Sequence, residues 1–133
     1  MIVVDASVVV PALISSSGVG ASAREAMAVH VPQLAAPALL DVEVSSAFRR
    51  LERSGEIPAA TAEGGVTVLA GMRIERYTHE PLLGRIWELR HNVTPYDAAY
   101  VAVAERLEVP LVTLDSRLAK ASGIRCSVRV IGS

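Results

Sequence analysis

The sequence predicts an α/β fold built on a mostly parallel five-stranded sheet with helices on both faces. Three observations lead there. Short apolar runs alternate with helical patterns along the whole chain, which is the signature of strands linked by helical crossovers. The 133 residues match one hydrophobic core, so residues 1–133 are expected to form a single domain. The composition is 51% hydrophobic with only 4% aromatic residues, so Ala, Val and Leu must build the core, which suits helices packed closely on Val-rich strands.

Each element follows from a local pattern. Ile2 to Val4 is apolar on both faces and reads as a central strand. Ser15 to Ser22 is rich in Ser and Gly and reads as a loop, followed by an amphipathic helix from Ala21 to Val29. Gln33 to Ala36 is a second strand, and Pro37 fits the first turn of a helix that runs to about Arg53, where Ser54 and Gly55 stop it. A further helix covers Ala59 to Met72, then Arg73 to Tyr77 is a third strand and Pro81 to His91 another helix. Thr94, Pro95 and Asp97 provide an N-cap, a first-turn proline and a first-turn acid, a strong start for a helix over Tyr96 to Leu107. Pro110 closes that unit before a fourth strand at Leu111 to Leu114. A short helix over Ser116 to Ala121 and a fifth strand at Val128 to Ile131 complete the chain.

Charge alone selects no partner. The 13 basic and 14 acidic residues give a formal charge of -1, compatible with a nucleic acid or with none. Lys120 is the lone lysine among the basic residues, and arginine offers a planar fork suited to phosphate. The single Cys126 cannot form an internal disulfide and fits a reducing compartment as a small buried hydrophobe. No uncharged apolar stretch is long enough to span a bilayer, so the expectation is a cytoplasmic protein without membrane attachment. His30, His79 and His91 lack ligand spacing and read as surface or interface residues.

The acids carry the chemistry. Ligands of open α/β sheets bind beyond the carboxyl ends of the strands. Asp5 follows the first strand and Asp115 the fourth; Asp97 lies in the first turn of the helix leading into that fourth strand. In the helix after the second strand, Leu40, Val44, Ala47 and Phe48 define an apolar face. Glu43 flanks it whereas Asp41 points elsewhere. Asp41 is therefore the structural acid, and Asp5, Glu43, Asp97 and Asp115 form the candidate site. Each alone has an ordinary role as a helix cap or solvated residue; together they point to one edge.

Four carboxylates in one pocket repel unless a cation joins them. Oxygen ligands favour Mg²⁺, with Mn²⁺ a plausible substitute, and the implied chemistry is phosphodiester hydrolysis by metal-activated water. Setting the four aside leaves a basic surplus of about three charges. Arg49, Arg50 and Arg53, with Arg117 and Lys120 near the exit of the fourth strand, are candidate contacts to the backbone of a nucleic acid or simply an exposed charged face. Ser7 and Thr113 either orient the acids or satisfy local backbone groups. Tyr96 and Tyr100 flank Asp97 as the aromatic residues available for stacking, although Tyr100, one helical turn from Tyr96, equally suits simple packing.

The opening IVVDASVVV, the helix LLDVEVSSAFRR and the segment TPYDAAYVAVAERLEVPLVTLD resemble the PIN-domain ribonucleases, and within them the VapC-type toxins of toxin-antitoxin pairs. The resemblance runs over nearly the whole chain. It implies a PIN-like parallel five-stranded sheet between helices, an endoribonuclease acting on structured RNA such as a tRNA or rRNA loop, and metal-binding acids at Asp5, Glu43, Asp97 and Asp115, with Ser7 and Thr113 in support. It further implies a homodimer, a cognate VapB-type antitoxin, and operator DNA bound only through that antitoxin. Some relatives carry a further acid or Asn shortly after the fourth-strand Asp, where this chain has Ser116, Arg117 and Leu118. Two other readings are an inactive PIN fold that serves as a partner-binding module, and an aspartyl phosphotransferase. The intact acid set argues against the first. The second wants another acid close to Asp5, where Ser7 stands.

Overall fold

The computed structural model describes residues 1–132. Five strands, Ile2–Val4 (β1), Leu34–Pro37 (β2), Ile74–Tyr77 (β3), Leu111–Thr113 (β4) and Val128–Val130 (β5), pair in parallel in the order β3-β2-β1-β4-β5. All three residues of β1 are fully buried, as the unbroken apolar run of a central strand requires. Between the strands lie Ala6–Ile14 (α1), Gly18–Ala28 (α2), Leu39–Arg53 (α3), Ala59–Gly71 (α4), Leu83–Glu88 (α5), Pro95–Leu107 (α6) and Ser116–Lys120 (α7), with a 3-10 turn at Glu80–Leu82.

Strand order fixes where the helices go. From β1 the chain steps to β2 and on to β3; it then returns past β1 to β4 and β5. Right-handed crossovers in opposite directions place α1 to α4 on one face and α5 to α7 on the other. The packing agrees: α1 touches α2, α3 and α4, whereas α6 touches α5, β1, β2 and β4. Residues Ala98 to Ala104 of α6 are all buried, because alternating Ala and Val let that helix lie between the sheet and α5. The direction of travel reverses between β1 and β4, which opens a crevice at their carboxyl ends.

Four expectations need correcting. Ala6–Ile14 is a helix that the sequence reading passed over. Its run of Val and the internal Pro11 conceal the period of 3.6, and burial against β4 and α3 stabilises it instead. The expected loop at Ser15 to Ser22 shortens, because α2 already begins at Gly18. The two helices turn so tightly that a side chain on Gly20 would run into the carbonyl of Ser15. Pro37 ends β2 rather than opening α3; at a strand end no ladder donor is required of it. The helix expected over Pro81 to His91 is only the 3-10 turn plus α5, anchored by buried Leu82 and Leu89.

Asp41 takes the structural part expected of it. Arg76 donates from Nε to Asp41 Oδ2 at 2.8 Å and from Nη2 to Asp41 Oδ1 at 3.0 Å, and also to the carbonyls of Leu69, Met72 and Ile74. One guanidinium thus ties α3 to β3 and to the end of α4.

Candidate active site

The site begins with Asp5, 7% exposed, at the end of the central strand. Its backbone carbonyl accepts from Val8 and Val9 and so starts α1, yet its side chain does not cap that helix. Instead Ser7 Oγ donates to Asp5 Oδ1 at 2.5 Å and Thr113 Oγ1 donates to Asp5 Oδ2 at 2.6 Å. Each hydroxyl then accepts from the backbone leaving β4: Leu114 N–H donates to Ser7 at 2.9 Å, and Asp115 N–H donates to Thr113 at 3.0 Å. Both hydroxyl protons are committed to one carboxylate, so Ser7 and Thr113 orient Asp5 and lock the exits of β1 and β4 together.

Three more acids converge on that point. Glu43 comes from the second turn of α3, whose start is held by His79: its Nε2 accepts from Leu39 N–H at 3.0 Å. His79 is therefore a helix-end partner rather than a plain surface residue. Glu43 Oε1 accepts from Tyr100 Oη at 2.6 Å. Asp97 lies in the first turn of α6, where Thr94 Oγ1 caps its backbone N–H at 3.2 Å, as the sequence pattern predicts. Asp115 caps α7 through Arg117 N–H at 2.9 Å and also receives the Arg117 side chain at 3.1 Å. Together Asp5, Glu43, Asp97 and Asp115 line one cavity of about 120 Å³ with Ala6, Ser7 and Tyr100.

The electrostatics reflect crowding. Burial pushes the Asp5 carboxyl above its ordinary value; the Ser7 and Thr113 hydrogen bonds oppose this, and Asp97 adds repulsion. Burial also raises Glu43, against the Tyr100 hydrogen bond and with repulsion from Asp97 and Asp5. Asp97 rises by burial and by repulsion from Asp115. Asp115 alone is lowered, chiefly by the Arg117 hydrogen bond.

A pH dependence follows. Raised carboxyls make the folded chain hold protons more tightly than the unfolded chain in the window above their ordinary values of 3.8 and 4.5. Stability is lost as pH rises through that window. Asp115, and Glu105 beside Arg85, are lowered, so their contribution disappears only at more acidic pH. Thermal melts in EDTA are expected to peak on the acidic side of neutrality; a monotonic fall in melting temperature from pH 7 downward would contradict this balance.

Donor chemistry fits a hard cation. The lining offers carboxylate and hydroxyl oxygens only, the set preferred by Mg²⁺ and Mn²⁺. Among the described residues, no three acidic, Cys or His side chains are drawn tightly enough to enclose an ion, since Asp5 turns to its hydroxyls, Glu43 to Tyr100 and Asp115 to Arg117. Mg²⁺ is commonly held by one or two carboxylates with several waters, which this arrangement accommodates.

The remaining candidates separate by position. Arg117 lies beside Asp97 and Asp115, and Arg50 lines a groove that adjoins the acids through Ala6 and Ser7. Arg49, Arg53 and Lys120 are exposed and line neither the acid cavity nor these two neighbours. Tyr96 is exposed at 64% whereas Tyr100 is buried at 2%, so only Tyr96 presents a ring to solvent. Tyr100 is thus neither a stacking platform nor a mere packing residue: its hydroxyl holds Glu43. The available signal was its place one turn after Asp97, since a buried tyrosine hydroxyl needs a partner.

A family model for the PIN domain matches residues 2–124. The chain belongs to the PIN-domain family. Ribonuclease VapC1 of Mycobacterium tuberculosis is 46% identical to this PIN domain over 131 residues, covering 97% of this chain and 96% of that protein. Ribonuclease VapC9 of the same organism is 37% identical over 131 residues, covering 98% of each. These full-length likenesses make this PIN domain a ribonuclease of the VapC type. The crystal structure of Mycobacterium tuberculosis VapC20, described as a sarcin-ricin loop cleaving toxin, superposes with a TM-score of 0.70 over 94% of this chain and 97% of that one. At 17% identity it supports the fold. Among the described residues of this PIN domain, no single helix is long and apolar enough to cross a membrane.

Proposed function

We propose that this ribonuclease is the toxin of a toxin-antitoxin pair and cuts a single-stranded loop of a structured RNA by Mg²⁺-dependent hydrolysis, with Mn²⁺ able to substitute. The observation that carries the reading is the meeting of Asp5, Glu43, Asp97 and Asp115 on one cavity at the switch point of the sheet. Asp5, Asp97 and Asp115 would hold the ion, with Glu43 completing the set. When bound, the ion supplies an acidified water and neutralises charge on the scissile phosphate. The chain's own residues hold that geometry: Ser7 and Thr113 fix Asp5, Tyr100 fixes Glu43, and Thr94 fixes the turn that presents Asp97.

Loops are the favoured substrate because unpaired bases can be splayed and read, whereas paired A-form grooves hide them. A tRNA or rRNA loop fits that class, and the sarcin-ricin loop named for VapC20 is an rRNA example. The full-length VapC likeness supports a VapB-type antitoxin as partner, a homodimeric toxin, and operator DNA bound through the antitoxin. The test is to incubate purified, antitoxin-free protein with total bacterial RNA in Mg²⁺, in Mn²⁺ and in EDTA, and to map the new ends. Discrete cuts in loops with either metal, absent in EDTA, are expected; cleavage that persists in EDTA would overturn the metal-dependent mechanism.

A further inference from the structure

The acid cavity does not end at the acids. On one side it shares Asp97 and Asp115 with a cavity of about 210 Å³ that reaches Arg117. On the other it shares Ala6 and Ser7 with a groove of about 260 Å³ between α1 and α3. The character of this second groove differs sharply. It is lined by Ala6, Ser7, Val10, Pro11, Ala47 and Arg50 and contains no carboxylate.

Two sequence stripes build it. On α3, Glu43, Ala47 and Arg50 recur at i, i+4 and i+7, so one helix face leads from acid to methyl to guanidinium. On α1, Ala6, Val10 and Pro11 face them. The groove is open because Ala6, which follows Asp5, and Ala47, one turn after Glu43, carry only methyl groups; longer side chains there would fill it. Arg50 is exposed, and its guanidinium makes no hydrogen bond or ion pair among the described residues, unlike Arg117, which is folded onto Asp115.

We propose that the α1–α3 groove is the nucleotide subsite beside the scissile phosphate, with an unpaired base lying on Ala6, Val10, Pro11 and Ala47 and Arg50 contacting the RNA backbone. The inference rests on the ribonuclease reading above and adds to it which side of the acids grips the strand. A phosphodiester brought to four carboxylates meets repulsion on all sides, so its neighbours need cations placed away from the acids. A free guanidinium fork supplies one with geometry matched to phosphate. An apolar strip beside it receives a base face without reading its edges, which gives affinity for single strands with little sequence preference.

The test measures binding of fluorescent single-stranded oligouridylate and oligoadenylate in the Asp97→Asn background with Mg²⁺, and cleavage of the same oligonucleotides with Asp97 intact. Arg50→Ala is expected to weaken binding about tenfold and to flatten the slope of log affinity against log salt by about 0.7. KM should rise with kcat nearly unchanged, and Arg50→Lys should restore the salt slope. Ala47→Leu, which fills the groove, should weaken binding comparably without changing the slope. Arg73→Ala, at an exposed arginine just before β3, should do neither. If wild-type protein cuts RNA while Arg50→Ala and Ala47→Leu bind and cut as it does, the subsite assignment fails and the ribonuclease reading stands. If wild-type protein with Mg²⁺ cuts neither these oligonucleotides nor total bacterial RNA while the binding series still follows Arg50 and Ala47, the groove assignment holds and the metal-dependent mechanism fails.

Discussion

Asp97→Asn lowers the rate of RNA cleavage by about a thousandfold or more and, in the same protein, raises the melting temperature measured in EDTA. Both effects come from one change of charge. The asparagine keeps the shape of the side chain and leaves the Thr94 cap on the backbone N–H of residue 97 untouched, so α6 starts as before. It removes a carboxylate that burial and Asp115 hold above its ordinary value and that in turn raises Asp5 and Glu43. Relief of that repulsion at a half-exposed position is worth about 1 kcal/mol or less. A site built for catalysis at the expense of stability shows this opposed pair of effects. Full activity in Asp97→Asn would remove this residue from the site, and a lowered melting temperature in EDTA would show that Asp97 is structural.

Phe48→Ala costs about 3–5 kcal/mol of folding stability, a large share of the 5–15 kcal/mol typical of a domain, and lowers the thermal midpoint by about 10 °C or more. Phe48 is the one phenylalanine of the chain and is 2% exposed. Its ring closes the seam between α3 and α4: a Cβ added at Gly65 would lie 2.7 Å from Phe48 Cε2 and 3.3 Å from Ile14 Cγ2 of α1. Truncation leaves a void where three helices meet, on the same helix that carries Glu43. Urea melts should show the loss in midpoint with a nearly unchanged slope. A cost under about 1 kcal/mol would mean that Leu and Val neighbours close the void.

Legibility in the sequence followed the strength of local signals. The strands were readable because uninterrupted apolar runs such as Ile2–Val4 and Leu111–Thr113 need burial on both faces, and the start of α6 because Thr94, Pro95 and Asp97 each favour one helix position. Glu43 could be told from Asp41 by helical phase alone; the Arg76 bridge to Asp41 gives the physical content of that distinction. Helix α1 was missed because every position in ASVVVPALI except Ser7 is apolar, so no polar face marks the period. Contacts between distant segments were likewise out of reach. Nothing local announces that Tyr100 donates to Glu43 across 57 positions, that His79 holds the start of α3, or that Ala6 and Ala47 leave a groove leading to Arg50. Those features depend on which helix faces which after folding.

The measurement that bears most directly on the central claim is Mn²⁺ binding to the purified protein, followed by the loss of the free-ion paramagnetic signal, for wild type, Asp97→Asn and Asp41→Asn. If the four carboxylates form a cation site, wild type and Asp41→Asn bind alike while Asp97→Asn binds at least about tenfold more weakly. Equal binding by all three proteins, or a loss in Asp41→Asn as large as that in Asp97→Asn, would contradict the account.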